Sequence, residues 1–169
     1  MRIRCAGLHV VILGMAATTM GTPVLASPGS GVTSVILATG DLNEDVQYNH
    51  DRIKFQTKDP VDVRVQRLDF AAGGRTGWHH HPGVVIVTVA SGLITTVDHN
   101  CETKTYGPGS PNGSVFVEGH DTPMEARSGP GGTVLATYDA SNASPPVFRI
   151  EDDAPSCASS PTFRNIPRK

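Results

Sequence analysis

Two histidines in the middle of the chain, His79 and His81, have the side chains and the spacing of a metal-binding pair. They belong to the run Trp-His-His-His-Pro that starts at Trp78. In an extended strand alternate side chains share a face, so His79 and His81 point one way while Trp78 and His80 point the other. Imidazole nitrogens are common ligands of divalent transition metals. A strand at this position would therefore offer two ligands from one face.

The segments on both sides of these histidines predict a set of short β-strands. Apolar residues there alternate with polar ones or form short runs, and glycine or proline separates the runs. No stretch has the sustained apolar period of a helix. The pattern favours an antiparallel sandwich or a small barrel. The predicted strands cover residues 32–39, 53–56, 61–70, 84–90, 93–97, 101–106, 115–118 and 133–138.

The connections between these strands can also be predicted. Residues 42–51 are polar and predict a loop, and the glycine-rich residues 71–77 predict a turn. Residues 91–92, Ser-Gly, predict a tight turn after which residues 93–97 return as the second strand of a hairpin. The apolar phase changes within residues 61–70, which indicates a β-bulge.

The central stretch resembles the first conserved motif of the cupin family. That motif has a glycine, five residues, His-x-His, three or four residues, a glutamate, six residues and a glycine. The residues that fall in register are Gly73, His79, His81 and Gly92. The glutamate position falls on Val85 instead. The resemblance covers residues 61–138 and implies an all-β, single-domain cupin-type double-stranded β-helix, or jelly-roll barrel.

The second cupin motif is weaker in this chain. It has a glycine, five residues, a proline, one residue, a glycine, two residues, a histidine, three residues and an asparagine. Anchored on Gly113, the motif places Met124 at the histidine position, and only the first glycine is kept. The family's site of three histidines and one glutamate, carried over residue by residue, therefore retains only His79 and His81.

A third ligand is needed, because two protein ligands seldom hold a divalent ion against its hydration. His120 could reach the site if the loop before Met124 is rearranged, and we rank this alternative first. Met124 itself could offer a thioether to copper, and Glu118 or Glu125 could supply a carboxylate. Without a metal, His120 is typical of a loop, Met124 and Val85 of barrel packing, and the two glutamates of solvated charges.

The resemblance implies a cupin that binds a small molecule in the barrel, and the N-terminal segment, described next, predicts that it is exported. A divalent transition metal, which could be iron, manganese, nickel, copper or zinc, would lie on His79 and His81. One alternative is a metal-dependent cupin oxygenase or isomerase. A second is a non-catalytic interaction module, with a sheet edge as the basis of a homodimer. In a binding module, Val85 and Met124 would make the cavity more apolar and favour an uncharged ligand.

The first 26 residues have the features of a secretory signal peptide. Arg2 and Arg4 precede a mostly apolar stretch, and residues 24–26 have the small-residue pattern of a cleavage site. The remaining 143 residues suffice for one domain with its own core. They carry 12 basic and 16 acidic residues, a net charge of −4, which favours neither nucleic acid nor an anionic membrane as a partner. We expect a secreted or periplasmic protein that has no membrane contact after cleavage.

The composition divides the chain into four parts. The signal peptide, 1–26, is followed by N-terminal strands and a linker, 27–60, a cupin barrel core, 61–140, and a Pro/Ser-rich C-terminal tail, 141–169. After the signal, the chain has two cysteines, Cys101 and Cys157. A pair in an exported protein is most simply a disulfide, and this one would fasten the tail to the barrel.

Overall fold

The computed structural model describes residues 28–119 and 121–159, and most of its regular structure is β-strand. A short 3-10 helix at Ser156–Ser159 is the exception in this part of the chain. Among the described residues no helix is long and apolar enough to cross a membrane. The all-β prediction is confirmed. The strands are β1 Pro28–Leu42, β2 Gln47–His50, β3 Ile53–Gln56, β4 Val61–Gly77, β5 His79–His80, β6 Val85–Asp98, β7 Thr103–Tyr106, β8 Val115–Glu118, β9 Met124–Ser141 and β10 Ile150–Glu151.

Within the described residues, eight of these strands form one antiparallel sheet, and β2 and β3 pair separately as a hairpin. The long strands β6 and β9 pair from Val85 opposite Asp139 to Asp98 opposite Met124. Strands β4 and then β1 extend the sheet beyond β9. On the other side of β6, β8 pairs with its first half and β7 with its second half. The N-terminal strand β1 therefore belongs to the same sheet as the site strands.

Strands β6 and β9 change register together at a corner between the two halves of this sheet. Gly92 and Gly132 lie at the corner, each with a φ of 76°. A Cβ atom on Gly92 would lie 2.2 Å from the carbonyl oxygen of Gly132, so only glycine fits there. The predicted hairpin at residues 91–97 is therefore wrong, because β6 runs through these residues as one bent strand.

The two halves of the bent sheet face each other across one hydrophobic core. Residues of β6 from before and after Gly92, Val87 and Ile94 among them, belong to the same buried cluster. This arrangement requires the sheet to curl into a barrel. The full cluster contains Phe70, Val85, Val87, Val89, Ile94, Phe116, Ala126 and Leu135.

Three other predictions about the connections are wrong. Residues 42–51 contain β2, whose pairing with β3 makes a hairpin instead of a loop. Residues 71–77 are the end of β4 and not a turn, although the pairing with β9 shifts register there. The predicted bulge in residues 61–70 is absent, since this part of β4 pairs with β9 without a break. The extra residue in the neighbouring ladder is Leu37, on β1.

The inner face of β4 explains the error about the bulge. Arg64, Gln66 and Leu68 all line the interior cavity, so the alternation continues unchanged through the strand. The valines at 63 and 65 lie on the opposite face. Their apolar character predicted the wrong inner face, because the polar residues Arg64 and Gln66 face inward, where both donate hydrogen bonds to Asp139.

The C-terminal segment after β9 returns over β5 and closes this side of the barrel. Its strand β10 pairs with His79 and His80. The predicted disulfide between Cys101 and Cys157 is confirmed. Trp78, only 2% exposed, packs with Val97 against Cys101 and Ala158, beneath the same segment. The predicted signal peptide lies outside the described residues.

Candidate metal centre

The short strand β5 and the residue after it place His79 and His81 on the inner face of the barrel. Both line the interior cavity, whereas Trp78 and His80 do not, so the predicted alternation is confirmed. The two imidazoles are 3% and 7% exposed. Their rings meet edge to face, with centroids 4.9 Å apart. The pair is therefore buried and shares one side of the cavity.

Backbone carbonyl groups fix the orientation of both rings. Nδ1 of His79 donates a hydrogen bond of 2.9 Å to the carbonyl of Gly77, and Nδ1 of His81 donates one of 2.6 Å to the carbonyl of Phe148. A carbonyl oxygen only accepts, so Nδ1 carries the proton in each ring. The Nε2 atoms are left as potential ligands. Metal-binding histidines commonly use their other ring nitrogen in this way.

A carboxylate completes the cluster. Glu118 ends β8, its side chain is 10% exposed, and its Oε2 lies 3.1 Å from Nε2 of His81. The potential ligand atoms of His79, His81 and Glu118 all lie within 4.8 Å of one another. Despite the short distance, Nε2 of His81 makes no hydrogen bond of acceptable geometry. Nε2 of His81 and Oε2 of Glu118 therefore face one point, where a proton shared between them or a metal ion would satisfy both.

The position of Glu118 follows from the pairing of β6 with β8. Val85 lies directly opposite Glu118 in this antiparallel ladder, so the two side chains share the inner face. Val85 occupies the glutamate position of the cupin motif. The carboxylate missing from that position is thus supplied from the adjacent strand, about 5 Å away. Glu118 was one of the alternatives open from the sequence, but its interpretation as a solvated charge is wrong.

The other candidate ligands lie elsewhere. Met124 is opposite His79 in the pairing of β5 with β9 and is half-buried, but it lines a second, smaller cavity of about 180 Å³. Its role as a ligand stays a prediction. His120 lies outside the described residues. Glu125 is fully buried and pairs with Arg127, so its interpretation as a solvated charge is also wrong.

The electrostatic surroundings of the two histidines differ. Burial lowers the pKa of His79 to about 3, and the nearby charge of Arg149 acts in the same direction. Burial also acts to lower the pKa of His81, but Glu118 and the carbonyl of Phe148 outweigh it, and the net pKa is raised. His79 is therefore a neutral imidazole at ordinary pH. His81 shares its site with a negative charge that favours a proton or a metal ion.

The cluster opens into an interior cavity of about 560 Å³. On β6 and β9, Val85, Val87 and Leu135 give the cavity an apolar wall. A polar wall lies beside it, on β4 and β9, and includes Arg64 and Asp139. The cavity is large enough for a small organic molecule next to the histidines.

The polar wall is organised by Asp139, which is only 1% exposed. Nε and a terminal nitrogen of Arg64 donate to its Oδ2 at 2.9 and 2.6 Å, and the amide of Gln66 donates to the same oxygen at 2.9 Å. This buried carboxylate is the reason that Arg64 and Gln66 face inward. The guanidinium of Arg64 also lies 4.4 Å from the ring centroid of Phe148, whose carbonyl holds His81.

No family model and no curated protein matches the chain. Solved structures do resemble it. A cupin-2 domain from Rhodospirillum rubrum is 10% identical, with a TM-score of 0.48, over 75% of this chain and 72% of the other. A conserved protein of unknown function from Streptococcus pyogenes is 17% identical, with a TM-score of 0.43, over 63% and 71%. A salicylate 1,2-dioxygenase from Pseudaminobacter salicylatoxidans is 21% identical, with a TM-score of 0.38, over 45% of this chain.

The match spans only 20% of the dioxygenase chain. All three likenesses lie below 25% identity and below a TM-score of 0.5. The assignment of the fold therefore depends on the molecule itself: the curled antiparallel sheet, the register of Gly73 and Gly92 around the histidines, and the inward site. On these grounds the chain has the cupin fold, with two histidines and one glutamate converging in its barrel.

Proposed function

We propose that the chain is an exported, single-domain cupin that binds a small molecule in its barrel at a divalent transition-metal ion held by His79, His81 and Glu118. The observation that carries the proposal is the convergence within 4.8 Å of three ligand atoms, two on buried histidines and one on the half-buried Glu118. An ion with ligand bonds of about 2.1 Å would draw these atoms slightly closer together.

The donor set fits such an ion. Two imidazoles and one carboxylate suit iron, manganese, nickel, copper and zinc. When bound, the ion supplies Lewis-acid chemistry in the cavity. The protein groups hold the two rings in one tautomer, keep His79 neutral and exclude bulk water from the buried cluster. Three protein ligands would leave room on such an ion for water or for an oxygen atom of a small molecule.

A metal-dependent oxygenase or isomerase is the second candidate function. It is favoured by the combination of two histidines and one carboxylate, which is the donor set of many non-heme iron oxygenases. A non-catalytic module, with or without homodimer formation, would bind ligand without turnover. Comparing small-molecule consumption by the metal-loaded protein and the Glu118→Gln variant separates these functions, because a binding module consumes nothing in either form.

Export is supported by the bridge between Cys101 and Cys157, because disulfides persist in oxidising compartments. Localisation of the chain with and without residues 1–26 tests this part of the proposal, and retention of both forms inside the cell would contradict export.

The central experiment is a metal titration of protein stripped with EDTA. We expect one Mn²⁺ or Zn²⁺ ion per chain by calorimetry and elemental analysis. His79→Ala, His81→Ala and Glu118→Gln should each weaken binding by at least about tenfold. His50→Ala, which changes an exposed histidine of β2, is the matched control. A wild type that takes up no stoichiometric ion, or a Glu118→Gln variant with unchanged affinity, would overturn the proposal.

A further inference from the structure

We propose that the part of the cavity beside Thr137 and Asp139 is a subsite for a neutral, hydroxyl-bearing small molecule. The inference rests on the proposed function, because that function places the ligand in this cavity. The subsite itself is formed by residues other than the three candidate metal ligands. It therefore names the chemical class that the barrel selects.

The first observation is a concentration of unpartnered polar atoms. Among the described residues, four buried side-chain atoms have no hydrogen-bond partner, and three of them belong to residues that line this cavity: Nε2 of His81, Oγ1 of Thr137 and Oδ1 of Asp139. The metal cluster accounts for His81. Thr137 and Asp139 are 3% and 1% exposed, so neither is satisfied by bulk water. Buried polar groups are costly when unpaired, and a ligand in the cavity could pair with both.

The second observation is the alignment of these atoms. Thr137 and Asp139 are two residues apart on β9, so their side chains share the inner face and lie about 6.6 Å apart along the strand. Asp139 and Glu118 both lie opposite Val85, on either side of β6. Two strand spacings, about 10 Å, therefore separate the subsite from the carboxylate of the metal cluster. One small molecule can reach both across the valines of β6.

The hydrogen bonds of Asp139 determine which functional group a ligand must present at the subsite. Oδ2 already accepts three hydrogen bonds from Arg64 and Gln66, so the carboxylate is neutralised on that side. Oδ1 can only accept, and the ligand must therefore present a donor to it. A ligand carboxylate would place its oxygens against this acceptor. The hydroxyl of Thr137 can donate or accept, so an alcohol or phenol matches both residues.

The apolar neighbours complete the specificity. In the pairing of β6 with β9, Val85 lies opposite Asp139 and Val87 lies opposite Thr137. The hydrocarbon part of a ligand would pack on these valines while its hydroxyl meets β9. A permanently charged ligand gains no free counter-ion at this subsite, because Arg64 and Asp139 already pair with each other. The other arginines that line the cavity, Arg75 and Arg149, lie next to Glu125 and Glu151.

The test uses 4-methylphenol and its methyl ether, 4-methylanisole, as probes, with EDTA present throughout. The two have similar apolar surfaces but differ in one hydroxyl donor. Titration followed by protein NMR should show that wild type binds the phenol about three to ten times more tightly than the ether. Thr137→Val should lose most of this preference, and Thr137→Ser should keep it. Tyr138→Phe, which removes an exposed hydroxyl from the opposite face, should bind both probes as wild type does.

Thr137→Val should fold normally, because its hydroxyl has no protein partner to lose. Asp139→Asn is a second variant, and it too should reduce the preference for the phenol. Equal binding of the two probes by wild type, an unchanged preference in Thr137→Val, or no binding of either probe would overturn the subsite. Since EDTA removes metal, a persistent preference alongside a failed metal titration would overturn the proposed function alone.

Discussion

At the scale of single residues, the pairing of Val85 with Glu118 explains how this site keeps a carboxylate. Valine stands at the glutamate position of the cupin-like motif, and the glutamate is on the neighbouring strand instead. The two residues face each other across β6 and β8, and both side chains enter the cavity. The sequence predicts His79 and His81 because alternation along one strand is a local property. It does not predict Glu118 in the same way, because the register between strands depends on residues far apart in the chain.

The position of Val85 opposite Glu118 predicts how Val85→Glu changes stability with and without a divalent ion. Val85 is 2% exposed, so a carboxylate there would be buried beside Glu118. In EDTA we expect the free energy of unfolding to fall by roughly 2 kcal/mol or more. A divalent ion should raise the free energy of unfolding of Val85→Glu by more than it raises that of wild type, because the new carboxylate would give the ion a fourth protein ligand. Urea unfolding with and without Mn²⁺ measures both effects.

Val85→Gln is the matched control, since it has the same size without the charge. If Mn²⁺ stabilises Val85→Glu no more than Val85→Gln, the side chain at position 85 does not face the group formed by His79, His81 and Glu118.

The lowered pKa of His79 predicts how the stability of the metal-free protein depends on pH. Its folded pKa of about 3 lies below the value of 6.5 for a free histidine. Below pH 6.5, His79 is therefore protonated in the unfolded chain but stays neutral in the folded chain. The free energy of unfolding consequently falls as the pH drops towards 3. Between pH 7 and pH 5, the protonation of His79 in the unfolded chain should lower the free energy of unfolding by about 1 to 2 kcal/mol.

Urea unfolding at several pH values in EDTA checks this expectation. The variant His79→Gln should lose less stability than wild type between pH 7 and pH 5, whereas the exposed-site control His50→Gln should follow wild type. Equal pH slopes for His79→Gln and wild type would contradict the assignment of this proton.

At the scale of elements, the bend shared by β6 and β9 is what turns a flat sheet into a barrel with an interior site. The positions of most strands were predictable, because apolar alternation and glycine or proline breaks are local signals. The nature of the corner was not. A Ser-Gly pair suits a hairpin turn equally well, and only the close approach of Gly92 to Gly132 makes it a bend within one strand.

A second close approach, at Gly83, predicts the effect of a single methyl group. A Cβ atom there would lie 1.8 Å from the carbonyl oxygen of Ala140, next to Asp139. Gly83 lies just before β6, so Gly83→Ala must push this connection away from β9, and we expect a loss of about 1 to 3 kcal/mol in the free energy of unfolding. Gly40→Ala is the matched control, because nothing lies within 4 Å of its added methyl group. Equal stability of the two variants in urea unfolding would show that this contact does not constrain the strands.

At the scale of the whole molecule, the C-terminal segment fixes the side chains of the candidate metal centre. The carbonyl of Phe148 fixes the ring of His81, and Asp152 accepts a hydrogen bond from Nδ1 of His80 at 2.8 Å. Beyond them, Cys157 is tied to Cys101. The cysteine count predicted the bridge. It could not predict that the segment supplies a hydrogen bond to a candidate ligand, because backbone carbonyls carry no sequence signal.

These contacts of the C-terminal segment predict that removing the disulfide affects metal binding as well as stability. The bridge closes a separation of 56 residues, and in the chain-entropy model its loss costs about 4 kcal/mol of stability. The double variant Cys101→Ser, Cys157→Ser should also bind Zn²⁺ more weakly, because the carbonyl of Phe148 would no longer hold His81 in one orientation. Urea unfolding and calorimetry under conditions where the variant is folded measure the two effects. A lower stability with unchanged Zn²⁺ affinity would mean that the segment covers the barrel without positioning its ligands.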